Sequence, residues 1–595
     1  MDKTFLDSSS TSQRSIREDR GHVRVTTATA GDSAAPRRGE ADRYTRWILV
    51  FLAVGVAARL IRYLLRFPLW GDEAALAMNF LDRDYAGLMQ PLGFHQVAPL
   101  LFLWIELTAV KLLGFHEWSL RLFPLLCSVA SLFLFHRMAR LLLRGTALLL
   151  AVGTFAVTYS GLRYAAEMKP YGVDLMVSTL LLLLAVRWWR QPDDTRWLWA
   201  LVALVPLALG LSYPAVFLAG GVSLAVATVL LGTRSRRGWW VWTAYNLALA
   251  GSFLAWYRLA IGTQAGAELN VMRSMWDETF PPRDSLLSLL IWLLRVHAGP
   301  LLAVPVGGDH WGSIATTLLC LVAVGTLIHK GRYRLLVLCS TPFVLNLLAA
   351  AMRRFPYGGH MRLAMHLMPL VCILIGIGAT ALIKWLSRDC ATPQTAEDSR
   401  GHSLTAPVAA AVIVLLTLAV LSVARDFCAP GKEQQEIRKR DFAVWFWGSM
   451  EREHEVVSIS TDLKQNFPPP GCTWENCVSP QFFCNARIYS PRQARRQGYD
   501  LSRVSRQRPL ACVQYWTHMA PYDRAAFDCW LDGMKQRYDL IAAQRYPMLQ
   551  DNDDDAVPEP PDRVEVYEFV PKDKTRSASS TAGKLIFPPT PVFGS

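Results

Sequence analysis

Three short stretches carry the side chains best able to do chemistry. FPLWGDEAALAMNF, residues 67–80, sets Asp72 and Glu73 side by side at the end of an apolar run. RYAAEMKPYG, residues 163–172, brings Arg163, Glu167, Lys169 and Tyr171, and MRRFPYGGHMR, residues 352–362, brings Arg353, Arg354, Tyr357, His360 and Arg362. A carboxylate can draw the proton from a hydroxyl. Guanidinium groups bind phosphate bidentately and stabilise a phosphate that departs with negative charge. Acids near an arginine cluster at a membrane surface therefore suggest transfer chemistry on a lipid-linked phosphate, with Asp72 as the candidate base.

Each group also has a plainer explanation. Asp72 follows Gly71 and could cap a helix beginning at Ala74. Glu73 would be a favourable charge in that helix's first turn. Lys169 could snorkel to the surface, as could Arg59 and Arg62, while Arg354, His360 and Arg362 could hold ordinary anionic headgroups. Asp174 is seven residues beyond Glu167 and shares its helical face. It falls inside an apolar segment, where an acid either serves function or finds a structural partner. His95 and Gln96 stand just before another apolar block.

The elements that must position these groups are membrane spans. Of 595 residues, 52% are hydrophobic and 18% charged, against about 25% charged in a soluble protein. Apolar blocks near the ~20-residue crossing length run 47–65, 118–135, 146–162, 171–186, 197–211, 213–231, 239–260, 311–328, 333–351, 363–382 and 404–423. The fold class is a polytopic α-helical membrane protein with eleven transmembrane helices. Leu100–Leu113 is shorter and contains Glu106 and Lys111, which fits an interfacial helix; Ser285–Leu294 is a second candidate. With the N-terminus inside, each of the five short inner loops carries three basic residues, and the external loops beyond the second span carry eight in all. A twelfth span would reverse that bias, so the positive-inside rule favours eleven. The same rule accounts for the net charge of +14 without nucleic acid, for which no motif is present.

Residues 1–46 read as a disordered cytoplasmic tail without the apolar middle of a secretory signal, so the first span is expected to stay as an anchor. Residues 47–425 form the membrane domain, and 427–571 read as an external α/β domain. Strands are expected at 455–460, 487–490, 511–515 and 564–569, and helices at 434–450 and 523–536. Residues 572–595 read as a disordered tail. Six of the eleven cysteines (Cys428, Cys472, Cys477, Cys484, Cys512 and Cys529) fall in this external part. An even set there suits disulfides in an oxidising compartment, with reduced thiols or a metal site at Cys472, Cys477 and Cys484 as the other readings.

The run PLWGDEAALAMNFLDRDYAGLMQPLGFHQVAPLLFLWIELTAVKLLGFHEWSLRLFPLL resembles the first external loop and following helices of C-type membrane glycosyltransferases. Within them it is similar to the protein O-mannosyltransferases and their bacterial relatives, including the aminoarabinose transferases of lipid A. YSGLRYAAEMKPYGVDLM resembles that family's second external acidic motif. The likeness covers roughly residues 47–425. It implies an inverting transfer from a polyprenyl-phosphate-linked sugar, with Asp72 as base and Glu167 supporting it or a metal. A divalent cation is the one cofactor it suggests. Some relatives carry an acid or lysine where this chain has His95-Gln96, and this departure bears on metal binding and donor choice.

The expected partners are thus a polyprenyl-phosphate sugar, an acceptor on protein, lipid or cell-envelope glycan, and the bilayer itself. The expected place is a bacterial inner membrane, with the C-terminal domain periplasmic. A transporter or flippase is the rival. Transporters set polar groups at the midplane between repeat-related broken helices, whereas here they gather at outer span ends and no internal repeat is evident.

Overall fold

The computed structural model describes residues 38–94, 96–233, 235–262, 264, 276–303, 311–388, 404–428, 432–449, 454–459, 480–489, 509–516, 524–547 and 563–572. Its helices, in chain order, are α1 (Arg38–Leu64), α2 (Gly71–Ala77), α3 (Leu100–Leu113), α4 (Glu117–Leu142), α5 (Gly145–Val157), α6 (Tyr171–Arg190), α7 (Arg196–Leu211), α8 (Ala215–Thr233) and α9 (Arg236–Trp256). They continue with α10 (Leu286–Ala298), α11 (Trp311–His329), α12 (Tyr333–Ala351), α13 (Met368–Arg388) and α14 (Ala406–Cys428). Each of the eleven expected spans overlaps one of these helices. Among the described residues, seven helices are long and apolar enough to cross a membrane; α5, α7, Leu286–Leu302 and Ser313–His329 are shorter apolar helices, and α9 falls in neither group. α1 already begins at Arg38, inside the segment expected to be a disordered tail.

Helix association within a bilayer rests on close packing more than on exclusion of water. Gly172 shows how close: a Cβ there would lie 2.6 Å from the Pro124 carbonyl oxygen, so glycine lets α6 press against α4. α4 is started by His116, whose Nδ1 accepts from the Ser119 amide at 3.1 Å while the Ser119 hydroxyl accepts from the His116 amide at 3.3 Å. α3 buries Leu100, Phe102, Leu103, Glu106 and Leu107 against α4 and α7. It ends at Gly114, whose φ of +93° is open to glycine.

The C-terminal part has helices α15 (Lys432–Ser449), α16 (Pro480–Tyr489) and α17 (Arg524–Arg537). Its strands are β1 (Glu455–Ile459), β2 (Leu510–Trp516), β3 (Tyr538–Pro547) and β4 (Arg563–Pro571). They form one sheet in the order β1-β2-β4-β3. β1 and β2 are parallel, whereas β4 runs antiparallel to both β2 and β3, with an irregularity at Leu540/Ala542.

Two expectations need correcting, and one strand, β3, was not foreseen. The strand expected over 487–490 is instead the end of α16, because Pro480 suits a helix start and packing against α2 outweighs the β preference of Ile488 and Tyr489. β3 follows α17 without a break, and its Ala542-Ala543 pair blurs the alternation that marks a strand. The disulfide set also fails at two members. Cys428 and Cys484 are free, and Cys484 donates its thiol to the Ala74 carbonyl at 3.5 Å. Cys472 and Cys477 lie outside the described residues.

Candidate active site

The first acidic stretch does not fold as a capping Asp would require. α2 begins at Gly71 with Trp70 before it, so Asp72 is in the first turn. Glu73 takes the capping duty, its Oε2 accepting from the Trp70 amide at 3.3 Å. Glu73 is fully buried. It receives Arg121 Nε on Oε1 at 2.8 Å and Nη2 on Oε2 at 2.5 Å, and the Met168 amide on Oε1 at 2.7 Å. Arg121 also donates to the Phe67 carbonyl and, at 3.1 Å, to the Pro68 carbonyl. One arginine of α4 therefore ties the first loop to the start of α2, and Glu73 ties both to the second loop.

Asp72 points elsewhere. Its side chain keeps 40% of its exposure, and its Oδ2 accepts from Arg362 Nη1 at 3.2 Å. The Arg362 guanidinium lies between the Trp70 and Trp276 rings, 5.3 and 5.4 Å from their centroids. Its buried Nε has no hydrogen-bond partner among the described residues. Arg362 follows the Gly358-Gly359 pair, both at positive φ (+78° and +81°). A Cβ on Gly359 would lie 2.2 Å from Thr279 Cγ2, so only glycine lets this loop close on the 276–303 segment. The closure is fixed by the Tyr357 amide on the Thr279 carbonyl at 3.1 Å and by an Arg353–Asp277 pair at 3.0 Å. Tyr357 OH and His297 Nε2 add a hydrogen bond at 3.1 Å.

The second loop supplies the remaining groups. Glu167 is buried, with Oε1 3.7 Å from Arg163 Nε and Oε2 unpartnered among the described residues. Burial, reinforced by the Glu73 charge, raises its carboxyl to about 7 despite Arg163. Lys169 is buried and donates to Gln96 Oε1 at 2.7 Å. Burial lowers its ammonium, while Asp72 opposes that shift. Tyr164 and Tyr171 meet edge to face at 5.3 Å. Burial, then the neighbouring Glu167, raises the Tyr164 hydroxyl to about 12.

Asp72, Glu73, Glu167, Lys169, Tyr171 and Arg362 thus converge. Arg354 and His360 are exposed, and the His360 ring meets Trp276 edge to face at 5.5 Å. Asp174 is buried within α6 with Oδ1 unpartnered among the described residues, and it forms no ion pair with the cluster. His95 lies outside the described residues. Two contributors escaped the sequence reading, Arg121 and Trp276, while Gln96, noted there beside His95, meets Lys169. Arg121 carried a signal, since an arginine inside an apolar span demands a partner. For a cation, the carboxylates are poorly disposed because Glu73 is spent on Arg121. Among the described residues no three His, Cys, Asp or Glu side chains gather as a metal site.

Residues 97–256 match the family profile described as dolichyl-phosphate-mannose-protein mannosyltransferase, in agreement with the resemblance read from the motifs. The structure is similar to ArnT from Cupriavidus metallidurans in the apo state, with a TM-score of 0.50 at 13% identity over 88% of this chain and 98% of that one. For the same protein bound to undecaprenyl phosphate the TM-score is 0.49 at 14% identity, with the same coverage. The archaeal oligosaccharyltransferase AglB from Archaeoglobus fulgidus, in complex with an inhibitory peptide and a dolichol-phosphate, gives 0.37 at 12% identity over 68% of this chain and 58% of that one. No curated protein matches the chain in sequence. The fold is thus polytopic and helical, similar to that of ArnT.

Proposed function

We propose that this chain is a polyprenyl-phosphate-dependent membrane glycosyltransferase that works by inversion on an acceptor hydroxyl at the extracytoplasmic face. The family match and the ArnT-like fold support the class. The observation that carries the mechanism is the half-exposed Asp72 carboxylate held 3.2 Å from Arg362. Asp72 takes the acceptor proton as the acceptor oxygen bonds to the anomeric carbon. The bond from that carbon to the phosphate oxygen breaks, and polyprenyl phosphate leaves as an anion toward Arg362 and Lys169. Arg362 stays paired with Asp72 until the donor phosphate competes for the guanidinium. That competition frees the base when the leaving group arrives. Glu167 orders the second loop beside Asp72.

The positive-inside bias supports a site, and a C-terminal domain of residues 427–571, outside the cytoplasm; the membrane we propose is a bacterial inner membrane. Asp72→Asn should insert and bind undecaprenyl phosphate as the wild type does while losing transfer. Wild-type transfer by the variant would remove Asp72 as base. The transporter reading is disfavoured because the paired acid and arginine lie at helix ends and loops rather than midway along broken helices.

A further inference from the structure

The C-terminal part reaches the loop that carries Asp72. Along α16, Cys484 is fully buried and donates to the Ala74 carbonyl of α2 at 3.5 Å. Tyr489, at the end of α16, donates its hydroxyl to Glu117 Oε1. Glu117 is buried at the first turn of α4, and its Oε2 receives Arg66 Nε at 3.2 Å. Arg66 is also stacked between Trp118 and Tyr489, 5.2 and 5.4 Å from the ring centroids. Arg440 of α15 comes over the Tyr489 ring at 5.9 Å. The backbone makes this hold consequential. Arg66 has φ +48°, a left-handed conformation that a non-glycine residue adopts only at a cost. Something must oppose relaxation there, and the Glu117–Tyr489 contacts grip that same side chain.

Arg66 opens the stretch whose next carbonyls, at Phe67 and Pro68, are held by Arg121, four residues beyond Glu117 on the same helix. A second tie runs in parallel: Asp426, at the end of the last span, receives Arg62 Nη1 at 2.6 Å, and Arg62 Nε donates to the Arg163 carbonyl of the second loop at 2.9 Å.

We propose that the C-terminal domain sets the reactive placement of Asp72 through a clamp in which Tyr489 and Glu117 hold Arg66 while Cys484 holds α2. Tyr489 is then a positioning residue that touches no substrate. The domain is a working part of the catalytic unit rather than an appendage. The inference rests on Asp72 being the base.

The test uses the full chain in lipid nanodiscs. Tyr489→Phe removes one hydroxyl and keeps the ring, and Glu117→Gln keeps an acceptor for Tyr489 while dropping the charge that holds Arg66. Amide exchange over residues 66–73 should quicken about ten-fold in either variant, as expected for loss of one hydrogen bond to a charged group, with exchange in α13 unchanged. Turnover of undecaprenyl-phosphate-linked mannose or aminoarabinose, whichever the wild type consumes, should lose about ten-fold in kcat with donor KM unchanged. Unchanged exchange over 66–73 overturns the clamp. So does quickening spread evenly over all helices, which marks a merely structural role, and so does local quickening with kcat intact. Asp72→Asn that still turns over would strike the base assignment alone, because the exchange measurement reads the clamp without it.

Discussion

Replacing Arg121 with Met separates anchoring from chemistry in the acidic pair. The Arg121 and Glu73 side chains keep only 7% and 1% of their exposure, so solvent screens the pair little. Arg121 gives Glu73 two hydrogen bonds and the Phe67 and Pro68 carbonyls one each. Met retains the apolar bulk but none of these donors. Glu73 would then be a buried anion with only the Met168 and Trp70 amides for company. Breaking a buried pair from one side costs about 3–5 kcal/mol. The double variant Glu73→Gln/Arg121→Met leaves no charge behind, and it should recover about 1–3 kcal/mol relative to the sum of the singles. Denaturant unfolding in detergent, on both singles and the double, measures the coupling. If Arg121→Met is as stable as the wild type, or if the double costs the full sum, Glu73 is not held as described. Transfer activity returning in the double would also show that Glu73 serves through structure.

Other perturbations probe the remaining groups. Burial raises the Glu167 carboxyl from 4.5 to about 7, so the folded chain holds that proton where the unfolded chain has lost it. Its contribution to stability is therefore fully present below about pH 4.5 and falls away as pH rises through 7. Thermal unfolding of Glu167→Gln should show a flatter pH profile in that window, and parallel curves would contradict the assignment. Arg362→Ala should weaken undecaprenyl phosphate binding by about ten-fold or more, since a charge-assisted contact contributes about 1.5–3 kcal/mol; isothermal titration giving unaltered affinity would count against the phosphate role. Gly359→Ala meets both positive φ and Thr279 at 2.2 Å, so the loop bearing Arg362 must shift. It should lose donor binding while remaining inserted, and wild-type affinity would show that the loop's closure is dispensable.

The membrane architecture was legible because a bilayer imposes a length: the apolar blocks had to be helices, and helices they are. The site was legible in part for a related reason, since charge beside such blocks is costly and stands out. Arg362, one of three arginines in the 352–362 stretch, meets Asp72 from 290 residues away in sequence. Sequence does not tell which arginine of the cluster turns inward. Gly358 and Gly359 settle that by folding the loop onto Thr279 and Val296, leaving Arg354 exposed. The last turn of α16 reads as a strand in the sequence because its determinant is α2, 410 residues away at the Cys484–Ala74 contact, and no local pattern reports so distant a partner.

The tandem acids themselves contain a lesson that helix geometry could have supplied. An α-helix turns by about 100° per residue, so neighbours at i and i+1 cannot serve the same face. Once α2 is helical from Gly71, Asp72 and Glu73 must diverge. One of them turns toward α4, where Arg121 makes a buried carboxylate tolerable, and the other is left toward Arg362 and solvent. An Asp-Glu pair in such a turn therefore sends its two carboxylates to different partners, here Arg362 for Asp72 and Arg121 for Glu73. In the proposed mechanism a second acid has to come from another element, and Glu167 is placed for it: its loop is fastened to Glu73 through the Met168 amide, and its own Oε2 has no partner among the described residues. Distance between the two acids along the chain is what lets them come from different elements.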